Sequence, residues 1–361
     1  GWIVGMPWVV NPVLAALATI VLYLLGKEIY GEAEGRLAAV LGALSMWFLL
    51  MSSTMLSHTG SMLFYALFLL FSFRSLTFPS FRNGLLAGAS LGLAFLIRPF
   101  NAAAIAAPLL AFCGIRFIRT RRRSGGALAG LAIAFFASAA ILLAYNQATN
   151  GHPLRLGYME KYGEAHGLGF GKAGYMEIPH SPKTGFSLLG ENMSAIHKYL
   201  FGWPLSALVF LVPFLVPWAD EKRKREADLL LLISFFALAL GLFFYWGTQV
   251  YIGARMYFEA WPILILITSR GVTRTPVFLS RIAGSANIRS SQKVVRVLLP
   301  LMMIYAFAVT FPRWVRPSGT EDHDRVFTKD FCGVSPRLSR AIDQARLGRS
   351  LVILKLLYAP K

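Results

Sequence analysis

Long apolar runs separated by short polar connectors dominate the chain, and the connectors alternate in character. One set is short and basic, and the other is rich in glycine, histidine and aromatic residues. A spanning helix needs about 20 mostly apolar residues. On that measure spans are predicted at 9–25, 37–56, 61–76, 85–97, 102–118, 127–145, 199–218, 229–246, 257–267 and 294–311. The pattern is that of an all-α polytopic membrane protein with about ten transmembrane helices. Two of the spans are short and flank Arg98 and Arg255, as expected where polar groups sit near a membrane interface.

The connectors also orient the chain. Arg116, Arg119, Arg121, Arg122 and Arg123 crowd one of them, and Lys222, Arg223, Lys224 and Arg225 a second. Arg270, Arg274, Arg281, Arg289, Lys293 and Arg296 populate a third. Alternation puts these on one face with Lys27, Arg74 and Arg82, and the positive-inside bias makes that face cytoplasmic. The N-terminus, the Ser57-His58 turn, the Arg98 turn, the segments 147–198 and 249–255, and the tail after Pro312 then lie outside. All six histidines fall on this outer face.

Composition agrees with a membrane protein. Hydrophobic residues make up 56% and charged residues 15%, with a mean hydropathy of +0.57, well above the soluble range. In a soluble protein a net charge of +19 would suggest nucleic acid. Here the charge sits in connectors between spans, which argues against a nucleic-acid partner. Cys113 and Cys332 give neither a disulfide framework nor metal-ligand spacing.

Two regions are predicted: a transmembrane domain over 1–312 and, over 313–361, the start of a small extracytoplasmic α/β domain. The tail carries Phe331-Cys332-Gly333-Val334 and an apolar run at 350–354. Within the first region the outer loop at about 147–198 is too long for a simple connector. Its Tyr158, Tyr162, Phe170, Tyr175 and Phe186 favour an ordered loop over a solvated linker.

Several motifs have ordinary explanations. Gly169-Phe170-Gly171-Lys172-Ala173-Gly174 fits G-x-G-x-x-G, but no strand precedes it and no amphipathic helix follows, so it reads as loop. Asn192-Met193-Ser194 is a formal glycosylation acceptor and reads as chance. His152, His166, His180 and His197 are widely spaced, with no His-x-x-x-His pair, so no metal is predicted. They are read instead as hydrogen-bonding to substrate or to loop backbone.

Arg98 and Arg255 carry more weight. Each sits where an apolar helix meets the outer interface, where the positive-inside rule disfavours cations. Snorkelling to headgroups is the ordinary reading. The functional one is that an anionic lipid-linked phosphate pairs with both through bidentate hydrogen bonds. Glu259, four residues after Arg255, is placed to orient it. Tyr245, Trp246 and Trp203 suit either an aromatic belt or stacking on sugar rings. The candidate substrate contacts are therefore Arg98, Arg255, His58, Glu259, Tyr245, Trp246, Trp203, Tyr158 and His180. No catalytic residue is assigned.

Asn11-Pro12-Val13-Leu14-Ala15-Ala16-Leu17, continuing through Leu22–Gly31, resembles polytopic GT-C glycosyltransferases. The likeness is to the dolichyl-phosphate-mannose-protein mannosyltransferase-like and aminoarabinose-transferase-like bacterial enzymes. Met51–His58, Arg98-Pro99, Leu200-Phe201-Gly202-Trp203-Pro204, Tyr245-Trp246 and Gly253–Ala260 extend it over most of 8–271. The resemblance implies a multi-pass enzyme of a bacterial cytoplasmic membrane, working on its outer face without a cofactor. It would take a sugar from a polyprenyl-phosphate carrier and pass it to a lipid, glycan or protein acceptor. In that family the catalytic Asp, often in an acidic pair, lies in the first outer loop. This chain opens apparently just beyond that loop, so it is expected to be a fragment lacking the first helix and the base, and inactive alone. The rival reading is a transporter or flippase for a lipid-linked or anionic substrate, which would also use arginines at depth. It would be expected to show inverted repeats, which the sequence lacks. A structural subunit without chemistry leaves the paired arginines unexplained.

Overall fold

A computed structural model describes residues 5–119, 121–163, 166–172, 179–216, 222–282 and 288–315, together with Gly284 and Gln344. Two compact units divide at Phe311/Pro312. Described residues of the second are 312–315 and Gln344, so the Phe331–Val334 and 350–354 motifs and Cys332 lie outside the described residues.

The first unit is helical, with no strand among the described residues. Its helices are α1 (Val10–Ile29), α2 (Glu32–Ala43), α3 (Met46–Ser52), α4 (His58–Thr77), α5 (Phe81–Ile97), α6 (Pro99–Arg119) and α7 (Arg121–Asn150). They are followed by α8 (Gly157–Tyr162), α9 (Pro182–Tyr199), α10 (Leu211–Leu215), α11 (Lys222–Phe243), α12 (Trp261–Ile282) and α13 (Ile288–Tyr305), and α14 (Phe311–Val315) spans the division between the units. Among the described residues six stretches are long and apolar enough to cross a membrane: Pro7–Ile29, His58–Thr77, Pro99–Arg119, Ser124–Asn150, Lys222–Phe243 and Ile288–Trp314. The pair α2 and α3 passes the same test as one span bent by 58°. The bend falls at Ser45, whose hydroxyl accepts from Phe48 N–H and so caps α3. Exposed Ile133, Phe136 and Ile141 on α7 suit a lipid-facing surface better than a watery one.

Two predicted spans come out differently. Over its described part, 199–216, the predicted run 199–218 forms no continuous helix. After Tyr199 the chain passes Gly202, at φ 66°, to a 3₁₀ turn at Ala207–Phe210 and the short α10. Pro204 and Pro213 each remove a backbone donor that a long helix would need. The run 257–267 is instead the start of a longer element. Arg255–Ala260 is a 3₁₀ turn, and α12 then continues through Arg270, Arg274 and Arg281. Arg289, Lys293 and Arg296, read as connector, lie in α13.

Helix contacts explain why these elements pack so closely. Gly84, Gly88 and Gly92 recur every four residues along one face of α5, against α7. A methyl on Gly84 would overlap the carbonyl of Ala127, one on Gly88 the carbonyl of Leu131, and one on Gly92 the side chain of Ser138. Small residues at this spacing let membrane helices approach backbone to backbone.

The ends of the helices differ in character. At one end lie the basic residues, paired with acids brought from distant helices. Arg270 Nη1 reaches Glu34 Oε1 at 3.2 Å and Arg274 Nη2 reaches Asp228 Oδ2 at 3.1 Å. Arg274 Nη1 also donates to the Phe214 carbonyl at 2.8 Å. Tyr30 donates to Asp228 Oδ1 at 2.6 Å, and the Arg270 guanidinium sits 4.8 Å over the Tyr30 ring. Arg270, Arg274 and Asp228 are all buried. These arginines thus join α1, α2, α10, α11 and α12 rather than coating a surface. The opposite helix ends carry the candidate site.

Candidate functional site

Pro99 positions Arg98. The residue before a proline is steered out of the helical region, and Arg98 adopts φ −144°, ψ 78° between α5 and α6. The proline then starts α6, where its missing N–H costs nothing. An arginine is thereby held at a helix break.

Four residues from three parts of the chain meet at this break. Arg98 Nε lies 2.8 Å from Glu259 Oε1, and Glu259 is fully buried. The Nε–H is out of line with that oxygen, so the contact is coulombic more than a hydrogen bond. Asn101, one turn into α6, donates from Nδ2 to Glu259 Oε2 at 2.9 Å and to the Met256 carbonyl at 2.8 Å. Arg98 Nη1 lies 3.1 Å from His58 Nε2 at the start of α4. A guanidinium only donates, so that ring nitrogen accepts and the imidazole proton sits on Nδ1. Nδ1 is 3.9 Å from Glu259 Oε1, beyond hydrogen-bond reach. Arg98 Nη2 has the Met256 thioether at 3.2 Å, a weak acceptor.

Arg255 begins the 3₁₀ turn that also carries Glu259, and its guanidinium stacks 4.6 Å over the Tyr251 ring. Both guanidiniums lie close enough to act electrostatically on His58. The ion pair that Glu259 forms is with Arg98, where the sequence suggested Arg255. At three residues per turn, positions four apart sit about 120° around the axis, so the i, i+4 pairing of an α-helix does not carry over. Just before Arg255, Ile252 (φ 54°) and Gly253 (φ 69°) are both left-handed. A β-branched residue there stores about 1–3 kcal/mol of strain, held because Tyr251 N–H closes the turn on the Gly253 carbonyl at 3.1 Å.

The other candidates form two further groups. His166 gathers Tyr158, Tyr245 and Trp246. It stacks on Tyr158 at 5.6 Å and Tyr162 at 4.9 Å, meets Trp246 edge-on at 5.0 Å, and its Nε2 lies 3.1 Å from Tyr245 Oη. Burial holds the His166 imidazole below its ordinary pKa. Tyr158 remains half-exposed and Trp246 is buried. His180 serves the loop itself. Its Nε2 lies 2.9 Å from the Phe243 carbonyl at the end of α11, and its backbone pairs with Gly171 and Lys172. Trp203 belongs to neither group. It stacks on Phe201 at 4.1 Å and points Nε1 at Met303 Sδ, 3.4 Å away.

The long loop is ordered by helices α8 and α9 and by these pins. Of the glycine-rich motif, 169–172 is turn, with Gly169 N–H on the Phe244 carbonyl at 2.8 Å, and 173–174 lie outside the described residues, as does Tyr175. Asn192 is buried in α9, donating to Leu188 and Thr248 carbonyls at 2.8 and 2.6 Å, out of reach of a modifying enzyme. His197, in the last turn of α9, hydrogen-bonds Ser206. Among the described residues no group of three His, Cys, Asp or Glu could hold a metal. Asn101 was passed over in the sequence. Its signal was a lone amide three residues after Arg98 in an otherwise apolar run.

Residues 8–143 match the model of the dolichyl-phosphate-mannose-protein mannosyltransferase family. That stretch contains His58, Arg98 and Asn101 and stops before Arg255 and Glu259. Comparison with curated proteins and with solved structures finds no match.

Proposed function

We propose that the chain is the membrane part of a glycosyltransferase that moves a sugar from a polyprenyl-phosphate carrier to an acceptor on the extracytoplasmic side. Arg98 is the cation that receives the carrier phosphate. The observation that carries this reading is that Arg98, inside the family-matched stretch, is fixed by Glu259 and His58 yet spends Nη2 on a thioether. A phosphate oxygen is a far stronger acceptor than sulfur for a guanidinium, so the carrier would displace Met256 and leave the remaining contacts in place.

The charges suit an anion. Arg98 and Arg255 both bring guanidiniums to this group. In the reaction the bond between the anomeric carbon and the carrier phosphate oxygen breaks. The acceptor oxygen bonds to that carbon, its proton goes to a base, and the phosphate leaves as the anion that Arg98 and Arg255 stabilise. Glu259 is ill suited to be that base. It is fully buried and both its oxygens are engaged, whereas a base must reach the acceptor hydroxyl. It is a positioning residue for Arg98. The half-exposed tyrosines around His166 offer ring faces on which a sugar can stack.

The test is transfer in proteoliposomes by the full-length protein, with a polyprenyl-phosphate-linked sugar as donor. Arg98→Gln is expected to lower turnover by about 100-fold or more, the scale seen when one preorganised donor is removed. Arg98→Lys should fall between, keeping the charge and losing the fork. Wild-type turnover in a folded Arg98→Gln protein overturns the proposal.

A further inference from the structure

At the basic ends of the helices, at the end of α6 opposite Arg98, α4, α6 and α11 line a cavity of about 280 Å³. Its inner wall is apolar, formed by Phe73, Leu76, Phe112 and Leu230. Arg116, Arg223 and Glu226 supply its charged lining and Thr77 a hydroxyl.

Among the described residues the rim carries two arginines and one glutamate. Arg116 Nη1 meets Glu226 Oε2 at 3.2 Å. Arg223 Nη2 meets Glu28 Oε1 at 2.9 Å, and the same carboxylate serves Arg74 at 3.5 Å. Two guanidiniums on one carboxylate leave a local positive field. Arg116 and Arg223 are each close to half exposed, at 46% and 44%, so their forks are reachable from outside. Along α6 and α11 the charged rim and the apolar wall are set in the order a lipid presents headgroup and chain. Phe112 lies one turn further into the apolar part of α6 than Arg116, and Leu230 lies one to two turns further into α11 than Glu226 and Arg223.

We infer that this cavity is a lateral binding site for an anionic phospholipid of the membrane, with the phosphate on Arg116 and Arg223 and the first acyl carbons against Phe73, Phe112 and Leu230. Basic pockets between membrane helices select anionic headgroups through charge-assisted hydrogen bonds. The apolar wall discriminates a lipid from a soluble phosphate, since it would be left wet by the latter. The site is independent of the glycosyltransferase reading, and its failure leaves the role of Arg98 untouched.

The test is lipid retention by the detergent-solubilised full chain, measured by native mass spectrometry. Dioleoyl phosphatidylglycerol is compared with dioleoyl phosphatidylcholine, and glycerol 1-phosphate serves as soluble competitor. Preferential retention of phosphatidylglycerol is expected. Arg116→Gln with Arg223→Gln should lower its affinity roughly 30-fold, from the loss of two near-surface cations. Leu76→Trp fills the cavity and leaves every ion pair intact, so it should also release the lipid, which covers the case in which the double variant does not fold. Equal retention of both lipids, unchanged phosphatidylglycerol binding in Leu76→Trp, or displacement by millimolar glycerol 1-phosphate each overturns the inference.

Discussion

Glu259 Oε1 sits 2.8 Å from Arg98 Nε, joining a 3₁₀ turn late in the chain to a helix break near its start. A buried carboxylate needs a partner for its charge and its lone pairs, and Arg98 and Asn101 supply both. The same contact spans the boundary of the family match, which holds Arg98 and Asn101 but not Glu259. The site is therefore completed by a segment that the comparison does not reach.

That pairing sets the first prediction. Glu259→Ala leaves Arg98 charged, largely buried and without its carboxylate, which costs about 3–5 kcal/mol for a buried pair broken on one side. Removing both charges, in Arg98→Met with Glu259→Ala, should recover part of the loss. Thermal unfolding in detergent of the two singles and the double closes the cycle. Additive losses would show that the pair contributes no coupling.

The glycine face of α5 gives the second. Gly88→Ala places a methyl into the Leu131 carbonyl, and overpacking of this kind costs about 1–3 kcal/mol. Gly114→Ala on α6 meets nothing within 4 Å and gains helix propensity, so it should be neutral or slightly stabilising. A Gly88→Ala protein that melts with the Gly114→Ala control would rule out close contact between α5 and α7.

The third concerns the buried charges of the basic end. Asp228→Asn removes the carboxylate shared by Tyr30 and Arg274 and leaves two buried arginines with Glu34 as the remaining acid among these contacts. The variant should lose several kcal/mol of stability. Tyr30→Phe loses one hydrogen bond to a charged group and should lose about 1.5–3 kcal/mol. Chemical denaturation orders the two, and a Tyr30→Phe loss as large as that of Asp228→Asn would contradict the arrangement.

Which parts of this architecture were legible in the sequence follows from locality. The Arg98 turn could be read because its cause, Pro99, is the next residue. The helices α1, α4, α6, α7, α11 and α13 could be read because hydropathy over 20 residues is itself local. Arg270 and Arg274 could not be placed. A hydropathy window ends at the first charge, and the acids that let α12 continue past them come from Glu34 and Asp228, far away in sequence. The run 199–218 misled for the opposite reason, since its apolar content was right for a span but the helix is interrupted at Gly202, with φ 66°, and Pro204. Of the site, His58, Arg98 and Glu259 were each singled out, whereas their mutual contact depends on packing α4, α6 and the Arg255 turn together. The 3₁₀ geometry that turned Glu259 toward Arg98 had no local signal.

The last prediction uses acidity to test the aromatic group around His166. Burial lowers the His166 pKa below its ordinary value of 6.5, so the folded loop favours the neutral ring and the unfolded loop binds a proton more readily. The sign follows from linkage: stability of this loop is full above about pH 6.5 and is lost as pH falls through the depressed folded value. Protonation also turns Nε2 from a possible acceptor for Tyr245 into a donor. Hydrogen exchange of 157–172, measured at pH 7.5 and at pH 5, should show faster exchange at the lower pH once intrinsic rates are corrected. His166→Phe keeps the stacking on Tyr158 and Tyr162 and cannot titrate, so its protection should be the same at both values. If the wild-type loop were equally protected at both, or if His166→Phe kept the acid-induced opening, the titrating group would lie elsewhere. The ring stack would then be packing without a proton-linked role.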